Sequence, residues 1–122
     1  MDFTIVKRQI ITEYINLYGS DQPDSIWSLE ACIDVFRYYY RQYYRVFGEE
    51  HPRLSNSTIR RIIEDFPYLW DDDMERGFDA NPDMYPAMID RYFQQEFVNC
   101  DYSIAHFMSG KIRTLRFFEE LY

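Results

Sequence analysis

With 122 residues and a mass of 15.0 kDa, the chain suits a single domain, 1–122, that buries roughly two thirds of its unfolded surface and needs no disulfide or metal for stability. Phe, Tyr and Trp make up 20% of it, so the core is expected to be built from rings whose hydroxyls need partners. A formal charge of -8 argues against affinity for free nucleic acid, and no apolar run reaches the length of a membrane-spanning helix.

The first segment, 3–18, places Phe3, Val6, Ile10, Tyr14 and Leu17 on one helical stripe with Ile11, Ile15 and Tyr18 beside it. Gly19 ends it and "SDQPDS" makes the turn. A second helix starts after Ser25 or Ser28 and runs to Phe47 before Gly48. At 100° per residue, Leu29, Cys32, Phe36, Tyr40, Tyr43 and Phe47 fall within about 40° of one line and form its core stripe. Tyr39 and Tyr44 border that stripe. Ser55 or Ser57 caps a shorter helix with Ile59, Ile62, Ile63 and Phe66 inward, closed by Pro67. "PYLWDDDMERGFDANPDM" has no sustained period and reads as a long ordered loop. From Asp83 as cap, a helix to about Phe97 carries Tyr85, Met88, Ile89, Tyr92 and Phe93; "YSIAHFMS" and "KIRTLRFFEELY" follow as short helices. The expected fold is all-α, a compact single domain of five or six helices with one long acidic loop.

Charge is concentrated in one place. Between Glu64 and Asp90 nine acids (Glu64, Asp65, Asp71, Asp72, Asp73, Glu75, Asp79, Asp83, Asp90) face one base, Arg76, while elsewhere 12 acids and 12 bases cancel. A loop and a helix start both tolerate acids, so such a cluster can be plain solvated surface. Carboxylates at phosphate-like spacing on an ordered scaffold could equally occupy the basic groove of another protein. In that reading Asp71, Asp72, Asp73, Glu75 and Asp79 supply charge and Trp70 and Phe78 are aromatic anchors.

The stretch "RYYYRQYYRVF" is a second candidate, because arginines interleaved with rings can hold single-stranded nucleic acid. Helical projection sends most of its rings inward and leaves Arg37, Tyr38, Arg41 and Arg45 outside. Asp34 and other acids can pair with those arginines as well as phosphates can. Calcium is rejected for "DDDMERGFDANPD", where glycine falls at the seventh position and Pro82 stands where a bidentate Glu is required. Cys100 and His106 allow a Cys-His dyad to be written, yet without any local signature; a buried thiol and a plain imidazole is the preferred reading. No paired zinc-ligand spacing and no phosphate-cradling glycine loop occur. No enzyme class, cofactor or metal is therefore expected.

Only Cys32 and Cys100 are present, which suits thiols in a reducing compartment, and the N-terminus "MDFTIVKRQIITEYINLYG" has no basic leader followed by an apolar stretch. The expected location is the cytoplasm, without membrane association, and the "NST" sequon at Asn56 to Thr58 is then irrelevant.

"EEHPRLSNSTIRRIIEDFP", "MIDRYFQQEF" and "CDYSIAHFMSGKIRTLRFFEE" resemble, from about Ser28 to Glu120, a loose group of short, acidic, aromatic-rich proteins encoded by phages and mobile elements of gut bacteria. The group carries no assigned activity, so the resemblance gives no residue a role. It implies a setting in which small acidic proteins often inhibit a host defence or replication protein, anti-CRISPR proteins among them. The expected function is thus a non-catalytic inhibitor whose acidic segment competes for a basic nucleic-acid-binding groove of a host protein such as a CRISPR nuclease. The alternative is a nucleic-acid-binding accessory module of a phage or mobile-element replication system.

Overall fold

Each long helix begins and ends where the local chemistry dictates. A computed structural model describes residues 2–71, 76–97 and 100–109, with only the backbone of 70, 71 and 76–78. The first helix, α1 (Thr4–Tyr18), stops at Gly19, whose φ of 80° is the left-handed cap that glycine takes without strain. The second, α2 (Leu29–Phe47), starts at Ser28, whose hydroxyl accepts from the Ala31 N–H at 3.1 Å, and stops at Gly48 in the same left-handed form. Ser55 caps α3 (Asn56–Asp65) by accepting from the Thr58 N–H. Ser28→Ala is expected to lower stability by about 1 kcal/mol, read as a lower urea midpoint with an unchanged slope.

The acidic stretch differs from the expected loop. Tyr68–Asp71 (β1) and Arg76–Asp79 (β2) pair antiparallel, with Leu69 opposite Phe78 and Trp70 opposite Gly77. Aromatic and branched residues favour this pleated surface, and Leu69 turns inward while Tyr68 stays exposed. The hairpin base is tied to the body, because Ala80 N–H donates to the Pro67 carbonyl at 2.7 Å and the buried Trp27 indole donates to the Ala80 carbonyl at 2.7 Å.

After the hairpin a 3₁₀ turn (Pro82–Met84) leads into α4 (Tyr85–Phe93). Asn81 caps the 3₁₀ turn, accepting from the Asp83 N–H at 3.0 Å, and α4 starts after Met84 with no side-chain cap, so Asp83 does not cap it as expected. The helix also stops at Phe93, four residues early, where Gln94 and Gln95 N–H turn to the Arg91 and Tyr92 carbonyls. The last described element, α5 (Ile104–Phe107), is capped by Ser103. The expected terminal helix "KIRTLRFFEELY" lies outside the described residues. Among the described residues, two four-residue strands beside five α-helices leave the all-α class intact.

The helices enclose one aromatic core. α1 packs on α3 and α2, and α4 packs on the other side of α2. That two-sided packing explains Tyr39. Expected at the border, it is fully buried, with ring centroids 5.0 Å from Phe93 and 5.5 Å from Phe107. Its neighbour Tyr40 faces Phe3 at 5.6 Å on the other side, so the apolar face is wider than one line. Phe47, expected inside, is 41% exposed because the helix ends there, beyond the core. Ile11, Ile15 and Tyr18 are likewise exposed.

Three buried hydroxyls find backbone carbonyls. Tyr14 donates to Trp27 at 2.8 Å, Tyr39 to Tyr102 at 2.6 Å and Tyr85 to Phe66 at 2.7 Å. Each bond ties a helix to an irregular segment, so the tyrosines provide both core volume and loop attachment.

Candidate acidic binding face

The expected anchors and charges divide between the strands and the undescribed turn. Trp70 and Asp71 stand at the end of β1 and Phe78 on β2, their side chains outside the described residues. Asp72, Asp73 and Glu75 also lie outside them. Asp79, the last residue of β2, is exposed. The hairpin fixes the register of the flanking backbone, so the two ends of the acidic run leave the body side by side.

A groove of about 550 Å³ between the start of α2 and the start of α4 adds acids that periodicity assigned elsewhere. Its floor is apolar, from Ala31, Val35 and Ile89, and Glu30, Asp34 and Asp83 stand among its walls. Among the described residues no lysine or arginine lines it, although Arg37 pairs with Asp34 from outside. Glu30 and Asp34 are acids near the helix start, which suits the macrodipole. Asp83 is available because α4 has no side-chain cap. This convergence is tertiary, bringing together residues about fifty positions apart.

The arginine stripe is partly committed. Arg37 pairs with Asp34 at 3.2 Å, and its guanidinium lies 5.3 Å from the Phe3 ring centroid. The Tyr38 hydroxyl donates to Asp90 at 2.7 Å, and burial, reinforced by that carboxylate, pushes its phenol up to about 12. Tyr38 is therefore bound to its neighbours and half-buried. Arg41 and Arg45 are exposed, and Arg45 borders a depression of about 370 Å³ with Tyr38, Val46 and Phe93.

Cys100 and His106 are brought together, with the thiol sulfur 3.3 Å from Nδ1. Sequence reading missed the third member, Tyr92 from α4, whose hydroxyl is 2.7 Å from the same nitrogen. Among the described residues no group of three His, Cys, Asp or Glu side chains is placed to hold a metal ion, and no helix is long and apolar enough to cross a membrane. The fold is that of a small all-α domain, and comparison with protein-family models, curated proteins and solved structures finds no match.

Proposed function

We propose that the chain is a non-catalytic binding protein that presents an acidic face to a basic surface of another protein. The observation that carries this reading is the groove between α2 and α4, whose lining among the described residues includes Glu30, Asp83 and the Arg37-paired Asp34 and no lysine or arginine, on the same molecule as the acidic hairpin. Carboxylates rimming an apolar floor suit a partner that offers arginine or lysine beside apolar side chains. With the resemblance to phage and mobile-element proteins, the partner class is a nucleic-acid-binding host protein, such as a CRISPR nuclease, whose basic groove the chain would block. A cytoplasmic setting belongs to this proposal.

The test is charge reversal. Replacing Asp71, Asp72 and Asp73 by Lys is expected to weaken capture of an immobilised CRISPR nuclease by more than about tenfold, with the far-ultraviolet helical spectrum unchanged. Capture at full strength by the variant would remove the acidic face from the interaction. The alternative, a nucleic-acid module, rests on the exposed Arg41 and Arg45 and predicts a mobility shift with single-stranded DNA or RNA that fades steeply as salt rises. The acidic-face reading predicts no shift even at low salt.

A further inference from the structure

Away from the acidic face, the turn between α4 and α5 assembles a thiol, an imidazole and a phenol. Tyr102 adopts φ 55°, the left-handed form rare for a tyrosine, and folds the chain back so that Cys100 meets His106 six residues on. The Tyr102 N–H donates to the Cys100 sulfur at 3.1 Å, and Tyr102 is itself held by the Tyr39 hydroxyl on its carbonyl. The Tyr92 hydroxyl lies 2.7 Å from His106 Nδ1 and 3.4 Å from the sulfur. It can donate to the nitrogen when the imidazole is neutral and to the sulfur when Nδ1 carries a proton. Phe97 packs edge-on against the imidazole at 5.2 Å. Cys100 and His106 are both half-buried, unlike the enclosed Cys32.

The other cysteine is a built-in contrast. Cys32 is 1% exposed in the core, and burial pushes its thiol up to about 12. A thiol in that setting is inert.

A nucleophile within hydrogen-bond reach of a base, with the base held by a third group, is the arrangement of an activated thiol. We propose that Cys100 is a covalent modification site that undergoes exchange with low-molecular-weight disulfides, His106 carrying its proton. The thiol proton passes to Nδ1 as the sulfur attacks one sulfur of the disulfide. The bond from Cys100 to that sulfur forms while the original disulfide bond breaks. The electron pair leaves on the released thiolate, which takes the proton back from His106. One thiol and one disulfide thus give one mixed disulfide and one thiol, with no further oxidant. The Tyr102 N–H stays on the sulfur throughout, and the Tyr92 hydroxyl, a positioning group, gives up the single Nδ1 lone pair to the thiol proton and turns its own hydrogen toward the sulfur.

Ellman's reagent, itself a disulfide, tests this directly. The folded chain should release one equivalent of thionitrobenzoate at pH 7, and the second only in denaturant. Cys100→Ser should abolish the fast equivalent and Cys32→Ser should keep it. In the Cys32→Ser background the folded rate should exceed the rate in denaturant. His106→Gln should slow the folded reaction on the order of tenfold without altering the denatured rate. With glutathione disulfide, mass spectrometry should place a single glutathione adduct on Cys100. A Cys100 that reacts no faster folded than denatured overturns the proposal even if His106→Gln fails to fold. An unchanged rate in a folded His106→Gln chain overturns it as well.

Discussion

Tyr39→Ala is expected to cost 3–5 kcal/mol, as truncating a buried aromatic does, and so to remove much of the ~5–15 kcal/mol that holds a domain together. The ring is fully buried where α2 meets α4 and α5, near His51 at 5.8 Å and Tyr92 at 6.2 Å as well as Phe93 and Phe107. No neighbour can collapse into the space without breaking its own contacts, so a cavity remains. The hydroxyl adds a second loss, because the Tyr102 carbonyl that accepts from it at 2.6 Å has lost its donor. Tyr39→Phe separates the two effects. It keeps the ring and should cost only about 1–2 kcal/mol. Urea denaturation of the two variants measures both quantities. Equal costs would mean that the hydroxyl, and not the ring, is what the core depends on.

Much of this architecture was legible because it is local. Ser28 and Ser55 sit immediately before apolar-periodic runs and cap them, and Gly19 and Gly48 stand at left-handed helix ends. Tyr39 was misplaced because a projection about one line assumes one neighbouring layer, whereas α2 is packed by α1 on one side and by α4 on the other. The hairpin escaped notice because its strands are four residues long and sit in a run of acids with prolines on both sides, with the buried Leu69 and the flanking Ala80 too few to set a period. The acidic segment was legible as charge, but the groove was not. Glu30 and Asp34 belong to one helix and Asp83 to the start of another, and only packing joins them. Cys100 and His106 illustrate the same limit. A separation of six is not a helical neighbour spacing, and the positive φ of Tyr102 that closes it leaves no mark in composition.

Acidification from pH 6.5 to 4 is expected to remove about 3 kcal/mol of stability through one residue, His51. Its Nδ1 lies 2.7 Å from the Pro52 carbonyl, which can only accept, so Nδ1 carries the hydrogen. Its Nε2 accepts from the Ile104 N–H at 2.9 Å, so that nitrogen must be bare. Protonating it would set two donors face to face. The ring is only 7% exposed and stacks on Tyr40 at 4.1 Å, with Tyr39 and Tyr43 edge-on around it. Burial therefore pushes the imidazole down from 6.5 to about 4, against the smaller opposing pull of the Pro52 hydrogen bond and the Asp101 carboxylate. Between those values the unfolded chain binds a proton that the folded chain refuses, so stability is fully present above about pH 6.5 and is lost as pH falls toward 4. Asp101 acts in a lower window. Its carboxyl is held below 3.8, chiefly by the Ser103 N–H, and its contribution disappears only under more acidic conditions. Urea midpoints at pH 7 and pH 4.5 should show the loss in the wild-type chain. His51→Phe, which keeps His106, should be less stable at pH 7 because the Ile104 N–H is left without its acceptor, yet nearly flat over the same interval. A variant whose stability falls as steeply as the wild type between those pH values would place the acid sensitivity elsewhere in the fold.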